Sequence, residues 1–294
     1  MKLFISHAHI DIDVAHTLQL RLDELSDDLT CFLLADEVFA GDSWEDRIRE
    51  AAEACDAILC LATADYIQRP WFAAEWALFW FQNKPWYLTL HDVDLEAVFA
   101  PLSRRQAVRL DDRRSVERLM RSLIEHGGLD SSAAPDLLAK ETVTAIADAD
   151  RRAKAARAEA DLAIFAVSLR HGTDNVDATL VRRLVSLGRL DSLMALASEG
   201  DNWVALRQLA VLLLPLGEIE AAARLADRIE NRAERRTIGV EALEALVRDA
   251  ENGRARELAR SIYLSVREPQ RRDLRTAAER RGLEIDWPDA PSDL

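Results

Sequence analysis

The segment from Ala57 to Ala62 constrains the fold more than any other part of the sequence. It reads Ala-Ile-Leu-Cys-Leu-Ala, a run of six apolar residues between Asp56 and Thr63. A short apolar run without alternation is typical of a central strand in a parallel sheet, because such a strand is buried on both faces. Shorter apolar runs alternate with amphipathic helical patterns around it, which predicts a parallel sheet covered by helices.

Four further strands and four helices are predicted around this central strand. The predicted strands comprise residues 3–6, 29–34, 86–90 and 107–110, and the predicted helices comprise residues 14–25, 44–54, 70–82 and 115–125. Pro70 is expected in the first turn of its helix, where proline is tolerated. Gly127 and Gly128 are expected to end the last helix. Residues 1–128 are therefore predicted to form an α/β domain with a five-stranded parallel sheet.

The sequence changes character after about Ala134, where no strand pattern remains and Ala, Leu, Arg and Glu dominate. Three segments around Gly188, Gly217 and Gly253 resemble one another, since each places a glycine between two predicted helices. Their spacing is irregular but near the ~34-residue period of helix-turn-helix repeats. Residues 161–294 are predicted to form an all-α domain, either a tetratricopeptide-like repeat array or an ordinary helical bundle. Residues 129–160 are predicted to be a linker and connecting helix.

Composition disfavours several classes of function. The formal net charge is -14, of which about -11 lies within residues 1–130, and such a surface repels nucleic-acid phosphates. No apolar run approaches the ~18 residues of a membrane span, and no secretory signal is recognised, so a cytoplasmic protein without membrane contact is expected. The cysteines lie in apolar runs without metal-ligand spacing, and no metal site is predicted. His7 and His9 are predicted to be solvent-facing turn residues.

Glu75 is the candidate catalytic residue because it is a carboxylate on an apolar helix face. The residues three and four positions away on either side are aromatic or aliphatic: Trp71, Phe72, Leu78 and Phe79. An ionised carboxylate in such surroundings costs several kcal/mol unless it is paired or faces a cleft. The spacing leaves two interpretations open, an ion pair with Arg47 or Arg69, or a cleft carboxylate with a raised pKa.

Several motifs occur in an order that resembles the TIR (Toll/interleukin-1 receptor) family. The first strand reads Phe-Ile-Ser and is followed by a short polar loop. Asp36 then precedes a glycine-containing loop that leads into the helix beginning at Trp44, and the run from Trp71 to Glu75 matches the family's tryptophan–glutamate motif. The resemblance covers residues 1 to about 128 and implies a flavodoxin-like fold. Ala40 and Phe72 depart from the family's usual proline and cysteine, which concerns loop shape and substrate detail.

The resemblance implies an enzyme, an NAD nucleosidase or ADP-ribosyl cyclase, in which Glu75 cleaves the nicotinamide–ribose bond. NAD is then a substrate, and no cofactor is expected. The first domain contains neither a G-x-G-x-x-G motif nor a P-loop, which excludes an ordinary dehydrogenase or NTPase. A carboxylate suits the reaction because the ribose becomes an oxocarbenium-like cation. Attack by water gives ADP-ribose, and internal attack gives a cyclic product.

Five residues are candidates for substrate binding, each with an ordinary structural alternative. They are Phe4, Ser6, Asp36, Trp44 and Trp71. Ser6 can donate to a phosphate or ribose, or it can cap the turn that follows its strand. Trp44 can stack on a ring of the substrate, but a lone tryptophan is more often part of a core. Packing is likewise the ordinary role of Trp71.

Three classes of function remain for the whole chain. The first is an NAD-consuming TIR enzyme resembling bacterial immune effectors or signal generators, regulated by its helical domain. The second is a non-catalytic scaffold that assembles through TIR–TIR and helical-repeat contacts. The third is an enzyme that transfers ribosyl groups of nucleosides. The resemblance further implies a homo-oligomer, in which the loop at about Asp36 to Trp44 completes a neighbouring site. The helical domain is expected to hold the first domain inactive, or to drive its assembly when a protein or small-molecule trigger binds.

Overall fold

The computed structural model divides into two compact units, residues 1–154 and residues 155–294. It describes residues 1–33, 44–69, 71–103, 106–131, 133–170, 176–199, 202–249 and 252–289. None of the helices in these ranges is long and apolar enough to span a bilayer.

The first unit contains a parallel sheet of five strands in the described residues, with the spatial order β2-β1-β3-β4-β5. The strands are β1 (Lys2–Ser6), β2 (Thr30–Leu33), β3 (Ala57–Ala62), β4 (Trp86–Leu90) and β5 (Val108–Arg109). The central strand β3 is buried along its whole length, as its apolar run predicts. The predicted flavodoxin-like α/β fold is confirmed.

Six helices connect and cover the strands in the described part of this unit. They are α1 (Ile12–Asp23), α2 (Trp44–Ala54), α3 (Ala64–Ile67), α4 (Trp71–Phe81), α5 (Ala100–Ser103) and α6 (Arg113–Gly127). Gly128 ends α6 in the left-handed conformation, with φ +58°, which is the expected use of a glycine at that position. Pro70 lies outside the described residues.

The side chains of each strand alternate between two apolar cores, one on each face of the sheet. Leu3 and Ile5 of β1 belong to the core that α1 and α6 cover. Phe4 of β1 and Cys60 of β3 belong to the opposite core, which α2 and α4 cover. Ser6 follows the same alternation as Phe4, and its side chain therefore faces α4.

The described part of the second unit is helical, as predicted. Its helices are α8 (Ala178–Ser186), α9 (Leu190–Glu199), α10 (Trp203–Leu213), α11 (Ile219–Arg228), α12 (Arg232–Arg248), α13 (Gly253–Ser265) and α14 (Glu268–Arg280). The long helix α7 (Pro135–Arg170) carries residues of both units. Gly188 and Gly217 have positive φ values between helices, and Gly253 begins α13. The choice between repeat array and bundle stays a prediction, as do the boundaries at 128 and 161.

Candidate functional site

The candidate site lies at the carboxyl end of β1, beside β3. The chain passes from β1 outward to β2 and then returns to β3 on the other side of β1. Ligands of open parallel sheets bind at such a point, because the loops after the two strands diverge and leave a crevice. Ser6 is the last residue of β1 and faces α4, so its hydroxyl group lies at this edge of the sheet.

Glu75 lies on the inward face of α4 and is only 2% exposed. The Ser6 hydroxyl donates a hydrogen bond to Oε2 of the carboxylate. The guanidinium of Arg69 lies 3.6 Å from the other oxygen, Oε1, and also donates to the backbone carbonyl of His7. Each carboxylate oxygen therefore has a different polar neighbour, a neutral hydroxyl on one side and a cation on the other.

Tyr66 extends this arrangement behind Ser6. Its phenol oxygen lies 2.6 Å from Ser6 Oγ, and its side chain is completely buried. Tyr66 is placed by the short helix α3, whose first turn Thr63 caps by accepting a hydrogen bond from the Tyr66 backbone N–H at 3.1 Å. The Thr63 hydroxyl in turn donates to Asp11 at 2.6 Å, so the segment before α1 also helps to fix α3.

Burial raises the pKa of Glu75 above its ordinary value. The hydrogen bond from Ser6 and the charge of Arg69 act in the opposite direction, but desolvation is the larger effect. The two interpretations of the sequence are therefore not exclusive, since a cationic partner is present and the pKa is still raised. Arg69 is that partner, whereas Arg47 pairs with Glu50 at 3.0 Å.

The sequence of the α/β part matches a known family. The family described as TIR domain matches residues 3–124. Residues 3–124 are a TIR domain. No curated protein matches the sequence of the chain. The match includes the strand that ends at Ser6 and the helix that carries Glu75, so the site described above lies within the TIR domain.

The structure brings some of the predicted substrate-binding residues of the TIR domain to Glu75 and places others elsewhere. Ser6 contacts the carboxylate directly. Phe4 is 2% exposed and stacks on Phe79 with ring centroids 6.0 Å apart, so it supports the site from within the core. Trp71 begins α4 and is 43% exposed. Asp36 lies outside the described residues, and so does the side chain of Trp44, although its backbone begins α2.

His7 corrects one expectation from the sequence, since it is buried rather than solvent-facing. Its Nδ1 lies 3.3 Å from the carbonyl oxygen of Ile5, and burial lowers the pKa of the ring. The first residue of the polar loop after β1 is therefore packed inside the TIR domain. His9 is exposed, as expected.

A second cluster of titratable groups lies at the end of β4. His91, Asp92 and Asp150 place potential metal-ligand atoms within 4.8 Å of one another. The ammonium group of Lys154 lies 2.5 Å from Asp92 and 2.8 Å from Asp150, so a cation of the protein already pairs with both carboxylates. The hydrogen bond from Lys154 lowers the pKa of Asp92. We interpret this cluster as an ion network that attaches the first part of α7.

Proposed function

We propose that the TIR domain cleaves the nicotinamide–ribose bond of NAD and that Glu75 stabilises the positive charge that develops on the ribose. The observation that carries this proposal is a carboxylate that is 2% exposed and has a raised pKa at the carboxyl edge of the sheet. Well-packed apolar residues usually stabilise a fold as well as a buried ion pair does, or better. A buried carboxylate whose cationic partner among the described residues, Arg69, lies 3.6 Å away therefore supports a role in chemistry.

The proposed reaction makes modest demands on the protein. The bond between ribose C1′ and the pyridinium nitrogen breaks, and its electron pair leaves with nicotinamide, which becomes neutral. No proton has to be supplied to this leaving group. The ribose is left as an oxocarbenium-like cation, and the carboxylate of Glu75 lowers its energy electrostatically in a site of low dielectric constant. Water then adds to C1′ and loses a proton, which gives ADP-ribose.

Ser6 and Arg69 have distinct roles in this proposal. Ser6 holds Oε2, which leaves Oε1 as the oxygen that a sugar cation can approach. Arg69 is adjacent to Oε1, and its side chain is 27% exposed on a flexible stem. The cationic ribosyl group has to displace this guanidinium or share the carboxylate with it. A displaced guanidinium is then suited to the diphosphate, since arginine binds phosphate oxygens in a bidentate manner.

The proposal is tested by the products that the full chain forms. Wild-type protein at high concentration is incubated with NAD and, separately, with a purine nucleoside, and the products are separated by liquid chromatography with mass detection. We expect nicotinamide and either ADP-ribose or a cyclic isomer from NAD, and no base from the nucleoside. Release of base from the nucleoside alone would favour a nucleoside ribosyl-transferring enzyme. Intact NAD in assembled protein would contradict the proposal.

The outward face of α4 favours a second function, assembly of TIR domains. Trp80 is 50% exposed and Phe81 is 76% exposed, and Glu75 is the single charged residue of the helix. Exposed apolar patches of this kind mark interaction surfaces. Two acidic domains can meet at this face without placing like charges together. Assembly alone would make the chain a scaffold, and assembly combined with catalysis would make activity depend on concentration.

We also propose that a ligand bound to the helical unit triggers the TIR domain. A groove in the helical unit supports this proposal. The groove has a volume of about 550 Å³ and is lined by residues of α8, α10 and α12, among them Arg207, Gln208 and Thr237. Small-molecule sites commonly have volumes of ~300–1,000 Å³ and a few polar groups in an apolar lining. We infer that this groove is the site at which a trigger of the TIR domain binds.

A further inference from the structure

We propose that Tyr66 is a positioning residue for Glu75, which it holds as an oriented carboxylate through the hydroxyl of Ser6. This inference rests on the proposed function of Glu75 and assigns a role to a side chain that cannot reach the substrate. Tyr66 is completely buried, and its phenol oxygen is 2.6 Å from Ser6 Oγ. Among the described residues, the Ser6 hydroxyl alone connects the phenol to the carboxylate, with one hydrogen bond to each.

The number of available protons fixes the direction of the two hydrogen bonds. A serine hydroxyl has one proton and two lone pairs. Ser6 uses its proton in the bond to Oε2 of Glu75, because an ionised carboxylate only accepts hydrogen bonds. While Glu75 is ionised, Ser6 can therefore only accept from Tyr66, and the phenol is the donor. Both bonds then point toward Glu75, and each polarises the other in the same sense.

The groups around Tyr66 keep its proton available for this bond. Burial, together with the nearby Cys60 and Glu75, raises the pKa of the phenol well above its ordinary value, so it stays protonated. The Cys60 thiol lies within hydrogen-bonding reach of Tyr66, and burial raises its pKa to about 12. The thiol therefore also stays protonated. The titratable or charged groups near Glu75 in the described residues are thus Arg69 of the loop before α4, Tyr66 of α3 and Cys60 of β3.

The orientation of Ser6 depends on this second bond. Without the phenol, the buried Ser6 oxygen loses its donor, and its hydroxyl can rotate away from Oε2. Glu75 would then lose part of the interaction that opposes desolvation, and its carboxylate would be harder to form. The ring of Tyr66 has its own packing role against Phe72, with centroids 5.1 Å apart, so the hydroxyl can be removed while the ring is kept.

The test is Tyr66→Phe in the full chain, with Tyr87→Phe as the matched control. Tyr87 bonds to His126 and does not contact the site, so its variant should leave the pKa of Glu75 unchanged. The readout is the pKa of the Glu75 carboxyl, measured by NMR with 13C-labelled glutamate and assigned by the signal that Glu75→Gln removes. We expect Tyr66→Phe to raise this pKa by about half a unit to one unit.

The pH profile of NAD cleavage should move in the same direction. The acid limb of the pH profile of kcat/KM should shift to higher pH by the same amount. At pH values below this limb the activity should fall about 3- to 10-fold, and at higher pH it should return toward the wild-type value. A purely structural role would lower activity equally at every pH. Ser6→Ala should shift the limb at least as far, and the double variant Ser6→Ala/Tyr66→Phe no further than Ser6→Ala alone.

A second probe covers the case in which Tyr66→Phe does not fold. The chain has three tyrosines, so 3,5-difluorotyrosine in a Tyr87→Phe/Tyr263→Phe background places the label at Tyr66 alone. The fluorinated phenol is a stronger donor, and the pKa of Glu75 should therefore fall. An unchanged pKa of Glu75 with either probe would overturn the inference. The NMR readout needs no turnover, so it separates this failure from a wild-type protein that leaves NAD intact.

Discussion

At the scale of single residues, the central feature is a carboxylate that folding makes harder to ionise. The surroundings of Glu75 favour its protonated form, whereas the proposed chemistry requires the ionised form. Ser6 and Arg69 lower the pKa of Glu75 but do not return it to its ordinary value. A residue of this kind lowers the stability of the fold at the pH where it functions, because one unit of upward pKa shift corresponds to about 1.4 kcal/mol.

This gives a prediction with a defined sign for Glu75→Gln. Below about pH 4.5 the carboxyl is protonated in both the folded and unfolded states, so its raised pKa makes no pH-dependent contribution. As pH rises toward the raised pKa of the folded state, the unfolded state loses its proton first, and wild type loses stability relative to the variant. The free energy of unfolding of Glu75→Gln minus that of wild type should therefore increase with pH and then level off. Denaturant titrations of both proteins at several pH values measure it, and a difference that shrinks with rising pH would contradict the pKa argument.

The sequence predicted part of this residue-scale arrangement. Spacing along one helix placed Glu75 among apolar neighbours and named Arg69 as a possible partner. Spacing could not connect Tyr66, Ser6 and Glu75, because the first bond joins residues 60 positions apart and the second joins residues 69 positions apart. It also gave no signal that His7 is buried, since a polar loop residue is ordinarily exposed.

At the scale of secondary-structure elements, the sequence predicted the five strands and the longer helices of the first unit and missed the helices of a single turn. The strands β3 and β4 and the helix α2 have the predicted bounds, because each has a clear apolar run or helical period. The four-residue helices α3 and α5 were not predicted, since one turn is too short to show a period. The helix α3 places Tyr66. Because the sequence did not predict this helix, it also did not predict that Tyr66 belongs to the site.

Capping of α12 gives an element-scale prediction in the helical unit. Asn231 accepts hydrogen bonds through Oδ1 from the backbone N–H groups of Ala233 at 3.0 Å and Glu234 at 3.4 Å. Asn231→Ala should lower the free energy of unfolding by about 1 kcal/mol, because these donors have no partner within the helix. Asn231→Ser is the matched control and should retain most of the stability. Chemical denaturation followed by circular dichroism measures both, and an equal loss in the two variants would argue against a capping role.

At the scale of the whole molecule, the uncharged face of α4 links the proposed chemistry to assembly. If neighbouring TIR domains complete one another's sites, NAD cleavage should rise more steeply than protein concentration. Phe81→Ser should make activity more nearly proportional to concentration, with little change in stability, because Phe81 is 76% exposed. Leu20→Ser, at a position on α1 that is 65% exposed, is the matched control. Strict proportionality in wild-type protein, dilute and concentrated alike, would contradict assembly-dependent activity.

The most direct test of the account compares nicotinamide release from NAD by the wild-type chain and by Glu75→Gln at the same high concentration. Glutamine keeps the shape of the side chain and a hydrogen-bond acceptor for Ser6 but cannot carry negative charge. We predict that wild type releases nicotinamide and that the folded variant is slower by at least about 100-fold, as expected when one preorganised electrostatic group is removed. A folded Glu75→Gln protein that releases nicotinamide at the wild-type rate would contradict the assignment of Glu75 as the catalytic carboxylate.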